Sequence, residues 1–275
     1  MLSLLVLTGV AMLAFAGNSL LCRAALAHTG IDAATFTLLR LASGALVLAL
    51  LVVRRGRSVT AGGSWLSAAA LFIYAICFSL AYRSLSAATG ALLLFGMVQA
   101  SMVGWGLWRG ERLSLWQTVG LALAIVGLLG LLLPGLQAPP FGAAALMMAA
   151  GVAWGAYSLR GRGQGDPTVF TGGNFVRATP MALAALPLAS SLSLDRAGVG
   201  LALASGALTS GLGYAVWYRV LPRLSPTQAA SVQLSVPVLA AAGGVVLLGE
   251  SWSTRLTLAG LAIVGGVGLV IRARR

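Results

Sequence analysis

A chain of 275 residues that is 59% hydrophobic and 8% charged, with a mean hydropathy of +0.96, has too little polar surface to cover a water-soluble globule. In a soluble protein the net charge of +13 would suggest nucleic acid, but all 18 basic residues are Arg and they sit mostly between apolar stretches. The composition therefore excludes a soluble fold, argues against a nucleic-acid partner, and makes the lipid bilayer the solvent.

A helix needs about 20 apolar residues to cross a hydrocarbon core about 30 Å thick. Ten stretches meet that need, bounded by Arg, Pro or acidic residues. Five run Leu4 to Leu26, Ala33 to Val53, Trp65 to Tyr82, Thr89 to Trp108 and Leu115 to Leu133, within a first unit of residues 1–135. Five more run Phe141 to Leu159, Thr168 to Ser190, Val199 to Arg219, Thr227 to Leu248 and Arg255 to Ile271, within a second unit of residues 141–275.

Ala25-Leu26-Ala27 resembles a signal-peptide cleavage site. However, no basic residue precedes the apolar run, Arg23 interrupts it, and its removal would leave the sixth span without a partner, so the first span is read as retained. Cys22 and Cys77 share no metal-ligand or paired spacing and are read as free thiols.

With both termini in the cytoplasm, the Arg residues at 54, 55, 57, 109, 112, 160, 162, 219, 223, 272, 274 and 275 face inward, and only Arg23, Arg83, Arg196 and Arg255 face outward. The positive-inside rule selects this orientation. Trp65, Trp108, Trp116 and Trp252 fall at span ends, where the indole ring prefers the headgroup level.

An offset of 139 lays Phe15 to Leu20 on Trp154 to Leu159 and Gly110-Glu111 on Gly249-Glu250. Nearby offsets match Arg40 with Arg177, Tyr82-Arg83 with Tyr218-Arg219, and Gly120-Leu121-Ala122 with Gly260-Leu261-Ala262. Two copies of an odd number of spans enter the bilayer from opposite faces, which predicts an all-α membrane protein of two inverted five-helix repeats. That is a plan of transporters, in which two packings of similar energy open to alternate sides.

The segment Leu247-Leu248-Gly249-Glu250, then Gly260 to Gly265, with Pro237 upstream, resembles the EamA family of the drug/metabolite transporter superfamily. The first half echoes it as Trp108 to Glu111 and Gly120 to Gly127, with Val98 where the second half has Pro237. The compact ten-span chain is similar to YddG-type amino-acid exporters. The resemblance implies an inner-membrane efflux carrier for amino acids or related small metabolites, without a cofactor. Sugar-phosphate, nucleotide and multidrug carriers of the same superfamily are the alternatives.

Tyr74, Phe78 and Tyr82 recur every four residues and share one helix face, and an offset of 136 repeats them as Ser210, Tyr214 and Tyr218. A tyrosine hydroxyl facing lipid would lack a partner, so these residues are candidates to line a cavity. Packing with the hydroxyls on backbone carbonyls is the other reading. Pro237 is expected in mid-span, freeing the carbonyl of Gln233 for a substrate, with Gln99 and Asn18 offering amides from the other half. Trp154 and Phe15 are expected to stack on substrate or pack in the core.

Arg40 and Arg177 lie inside their spans; their equivalence in the repeat suits a shared structural role on helix-end carbonyls, with a carboxylate anchor as the alternative. All five acidic residues fall at span ends or in loops, which disfavours an acidic proton relay and a carrier of lipophilic cations. No His-Glu-x-x-His or Gly-x-Ser-x-Gly motif is present, so catalysis has no visible residues. Glycines 260, 265 and 268 are candidate helix-contact positions.

Overall fold

The computed structural model describes residues 2–110, 112–133, 138–161, 164–188, 192–224 and 232–273. Glu111, Arg162, Ser190, Thr227, Arg274 and Arg275 lie outside the described residues. Within them every regular element is helical. The first half holds α1 (Leu2–His28), α2 (Ala33–Val53), α3 (Trp65–Tyr82), α4 (Ala87–Trp108) and α5 (Leu115–Leu132). The second holds α6 (Phe141–Gly161), α7 (Pro167–Ala185), α8 (Arg196–Ala204), a π-helical stretch (Ser205–Leu212) that runs on into α9 (Gly213–Val220), α10 (Ser235–Leu248) and α11 (Thr254–Arg272).

The connections supply the helix starts. Asp32, Ser64, Ser86, Ser114, Asp166, Asp195 and Ser253 each accept a backbone N–H of the first turn they precede, satisfying donors that would otherwise be orphaned. Ser114 does so in a reciprocal box with Gln117, and Pro167 takes the first helical position of α7, where its missing N–H is not needed.

Eight helical runs among the described residues are long and apolar enough to cross a membrane, with α8, the π stretch and α9 forming one of them. The predicted ten therefore differ in two places. α7 is less apolar because Thr168, Thr171, Asn174 and Arg177 lie in it, the first three turned into the protein and buried. α10, from Ser235 after a helical pair at residues 232–233 and a turn at Leu234, is 14 residues long and so falls short of that length.

Helices of one half pack chiefly on those of the other: α5 on α11, α2 on α7, α3 on α6 and α7, α4 on α6 and α10, and α1 on α8, α9 and α10. Small residues permit the approach, as expected where lipid offers no hydrophobic drive between helices. A Cβ on Gly120 or on Gly266 would run into the backbone of the opposite helix of the α5–α11 pair. Gly266, not the predicted Gly260, Gly265 and Gly268, thus makes the close contact; around those three the space is open or in ordinary van der Waals contact.

Ion pairs and caps tie the two halves at their ends. The Asp32 carboxylate accepts the N–H of Ser193 at 2.9 Å, joining the α1–α2 and α7–α8 connections. Asp166 accepts from Arg57 at 2.9 Å, joining the α6–α7 and α2–α3 connections. Glu250 accepts from Arg23 at 2.9 Å and from the N–H of Ala87 at 2.8 Å. Gly249 ends α10 in the left-handed region at φ +64°, which lets the chain turn so that Glu250 caps α4.

Candidate functional site: a central aromatic cavity

Where α1, α3, α4, α6 and the π–α9 run converge, Phe15, Asn18, Tyr74, Phe78, Trp154, Thr209, Tyr214 and Gln233 line one cavity between the halves. The cavity is narrow, with a volume of about 30 Å³. That is space for a water or two.

The wall is a chain of aromatic contacts. The Trp154 ring lies 4.8 Å from Tyr74 and 5.5 Å from Tyr214, and Phe15 meets Tyr214 edge-on at 5.7 Å. Offset and edge contacts of this kind are favourable, and they present ring surface to whatever occupies the hollow.

The polar groups are directed. Ser205 donates to Asn18 Oδ1 at 2.8 Å, which leaves Asn18 Nδ2 to donate to the Tyr74 hydroxyl at 3.2 Å. The same hydroxyl accepts from Arg40 Nη2 at 3.0 Å. With both acceptor sites occupied, the Tyr74 proton is free to be donated.

Ser205 and Thr209 belong to the π-helical stretch, a backbone form that recurs at functional sites. Its Gly206 abuts α2 so closely that a Cβ would strike the Arg40 carbonyl. The widened turn brings Ser210 under Arg40 and Tyr214 to the cavity.

Of the predicted residues, Asn18, Tyr74, Phe78, Trp154, Tyr214 and Gln233 come together at this cavity. Four do not line it. Tyr82 is fully buried beyond Phe78, its hydroxyl 3.4 Å from the Ala87 carbonyl. Gln99 lies in a separate, mainly apolar groove between α4, α5 and α11. Ser210 is buried and accepts from Arg40 Nε at 3.3 Å. Pro237 follows a one-residue interruption at Leu234, with helical residues 232–233 before it and α10 after it; its missing N–H supplies no i→i−4 donor to the carbonyl of Gln233, as expected, but Pro237 itself does not line the cavity.

The matched arginines separate. Arg177 donates to the carbonyls of Gly62, Gly173 and Thr60 at 2.7, 2.9 and 3.2 Å, the structural role expected. Arg40 is 1% exposed and reaches no helix-end carbonyl. Its guanidinium lies 5.2 and 5.0 Å from the Tyr74 and Phe78 ring centres, on cavity-wall residues, and Nη1 has no protein partner. Repeat symmetry had hidden that difference; Ser210, four residues before Tyr214, was the available signal.

A second cavity, of about 330 Å³, opens at one end of the bundle between Arg57, Gly62, Gly63, Gln164, Asp166 and Phe170. Burial alone would raise the Asp166 carboxyl, but the N–H groups of Thr168 and Val169 and the charges of Arg57 and Arg55 hold it below the ordinary carboxylate range. No group of three or more His, Cys, Asp or Glu suited to a metal occurs among the described residues.

Residues 141–272 match the EamA-like transporter family. An uncharacterized protein of Pseudomonas aeruginosa is 58% identical over 272 residues, 98% of this chain and 95% of its own length. A protein crystal structure is similar over 99% of both chains with a TM-score of 0.69 and 19% identity, a likeness of fold alone. Together with its apolar spans, these matches identify the chain as a multi-pass membrane protein that belongs to the EamA-like transporter family of the drug/metabolite transporter superfamily.

Proposed function

We propose that the protein exports small metabolites, foremost amino acids with aromatic or other neutral side chains, across the bacterial inner membrane. Transport proceeds by alternating access between two inverted five-helix repeats, with both termini cytoplasmic and no chemical step. The observation that carries this reading is the cavity itself: it lies between the halves, is walled by Tyr74, Trp154 and Tyr214, and carries the amides of Asn18 and Gln233. Rings and side-chain amides suit a solute with an apolar body and a polar head.

The exchange of partners across the middle supports the inverted arrangement. α3 packs on α6, and α1, the counterpart of α6, packs on α8 and α9, the counterparts of α3. Likewise α4 meets α6, and α1 meets α10. Two halves that clasp each other in this way have a second packing of comparable energy available, related to the first by a pseudo-twofold rotation, which alternating access requires. The similarity to YddG-type exporters favours amino acids as cargo.

Sugar phosphates and nucleotides are dianions or carry more charge, and would call for several cations. Arg177 is engaged with loop carbonyls, which leaves Arg40 alone beside the cavity. Lipophilic cations are disfavoured by the same buried Arg40.

The test is counterflow of labelled L-phenylalanine in proteoliposomes loaded with unlabelled amino acid. Trp154→Ala and Gln233→Leu, at matched protein content, are expected to lower the rate about tenfold or more, on the order of 1.4 kcal/mol or more in transition-state terms. Accumulation of phosphorylated compounds in place of amino acids would overturn the reading. So would unchanged flux in both variants.

A further inference from the structure

Arg40 poses an electrostatic problem that its protein contacts leave unsolved. Removing a lone guanidinium from water costs several kcal/mol unless a counter-charge and a full set of acceptors compensate. Its neighbours are the hydroxyls of Tyr74 and Ser210 and two ring faces. Hydroxyl dipoles and cation–π contacts offset part of that cost, but neither neutralises the charge.

Among the described residues no carboxylate is available to it. Asp32, Asp166 and Asp195 cap α2, α7 and α8, and Glu250 is held by Arg23 and the N-terminus of α4. One guanidinium nitrogen, Nη1, is buried without a protein partner. Other buried polar atoms without partners, on Tyr157, Thr171 and Asn174, are uncharged and carry no comparable demand.

The polar network in front of Arg40 is also one-sided. Ser205 donates to Asn18, and Asn18 and Arg40 both donate to the Tyr74 hydroxyl, whose own proton remains to be given away at the cavity wall. The run of donors thus ends on the Tyr74 hydroxyl at the cavity wall, with the cationic Arg40 directly behind it, an arrangement that favours an anion. A guanidinium's planar fork fits a carboxylate in particular.

We propose that Arg40, with Tyr74 and Asn18 before it, recognises the carboxylate of the transported solute, and that the solute class is monocarboxylic acids with an aromatic or bulky apolar body. The amino group is dispensable: the cavity offers it neutral acceptors only, Gln233 and Thr209 among them. The proposal rests on the cavity being the transport site, and it narrows the cargo from neutral metabolites to carboxylates.

The experiment pairs phenylacetate with phenylacetamide, equal in shape and different in charge. Each is tested as a competitor of L-phenylalanine counterflow, and each as a ligand that raises the melting temperature of the full chain in detergent. Phenylacetate is expected to compete and to stabilise; the amide is expected to be about tenfold weaker or less effective still, the loss that one charge-assisted hydrogen bond implies. Arg40→Gln should bring the two compounds within about twofold of each other, a compression of that tenfold ratio, while Arg40→Lys keeps part of the preference.

If Arg40→Gln does not fold, Tyr74→Phe removes the hydroxyl that accepts from Nη2 and should narrow the preference. Equal action of acid and amide on the natural protein overturns the proposal while leaving amino-acid export standing. A folded Arg40→Gln or Tyr74→Phe variant that keeps the full preference does the same. Stabilisation by phenylacetate without flux of any solute would sink the transport reading and leave the carboxylate site intact.

Discussion

Arg40 and Arg177 stand at matching places in the two halves, each inside its second span, and yet they have different tasks. Arg177 is partly exposed and serves three backbone carbonyls that hold the α2–α3 connection against α7. Arg40 is buried at the centre, on hydroxyls and rings, with no carbonyl and no carboxylate. The contrast teaches that matching places along two spans do not settle what a charge does; the helix packed against each one does. α7 turns its arginine toward a loop; α2 turns its own toward a π-helical stretch and an aromatic wall.

The largest effect is expected where that geometry is made. The Gly206 Cα lies so close to α2 that an added Cβ would overlap the Arg40 carbonyl and the Ser43 hydroxyl, and backbone cannot yield as a flexible side chain does. Gly206→Val should therefore cost about 3 kcal/mol or more and leave little folded protein, read as monodisperse yield in detergent. At Gly104, where nothing lies within 4 Å of an added Cβ, Gly104→Ala should be neutral or gain about 0.5–1 kcal/mol of helix stability.

Next in size is a crossed pair. Arg177→Gln loses charge-assisted bonds to Gly62, Gly173 and Thr60 and should lower stability by about 1–3 kcal/mol, visible as a lower melting temperature, with counterflow per folded molecule retained. Arg40→Gln removes a buried uncompensated charge and should leave the melting temperature unchanged or raised, while flux falls. Equal melting losses in the two variants would erase the distinction drawn between the two arginines.

The sequence carried much of this fold and part of its site, for reasons visible at single residues. The span pattern is a bulk property of apolar length, and the caps Asp32, Ser64, Ser86 and Asp166 mark helix starts in plain text. Tyr74 and Phe78 were found because helical period puts them on one face. Tyr82 shares that face but lies past the cavity, since periodicity gives direction and not depth.

Gln99 was selected for its polarity, but α5 and α11 determine which way that part of α4 faces. Pro237 marks the interruption at Leu234, as its missing N–H predicts, but the sequence could not show that the ring itself stays off the cavity wall. Arg40's placement goes with the π stretch Ser205–Leu212, and propensity does not encode a π turn; nor does it show that Gly206 packs directly on the Arg40 carbonyl and Ser43 of α2.

The smallest effect concerns the acidic ties at the two ends, and there the halves behave alike. The Asp32 carboxyl, which burial would raise, is held low by Thr35, the Ser193 N–H and the Ala34 N–H, as Asp166 is held low by its own cap and arginines. A carboxyl depressed in the folded state adds stability that is fully present above its unfolded pKa, near 4. That stability is lost as pH falls through the still lower folded value.

Both ties are accordingly intact from about pH 5 to 8, and neither acts as a switch in that range. Asp166→Asn keeps a capping oxygen and loses the ion pair, so it should lower the melting temperature by an amount corresponding to about 0.5–1 kcal/mol at pH 7, because an exposed ion pair is worth little. The gap between natural protein and variant should hold down to about pH 5 and close below about pH 4. A gap that instead widened on acidification would mean that Asp166 is protonated when the halves are joined. The Arg57–Asp166 contact would then not be the ion pair that links the α2–α3 and α6–α7 connections.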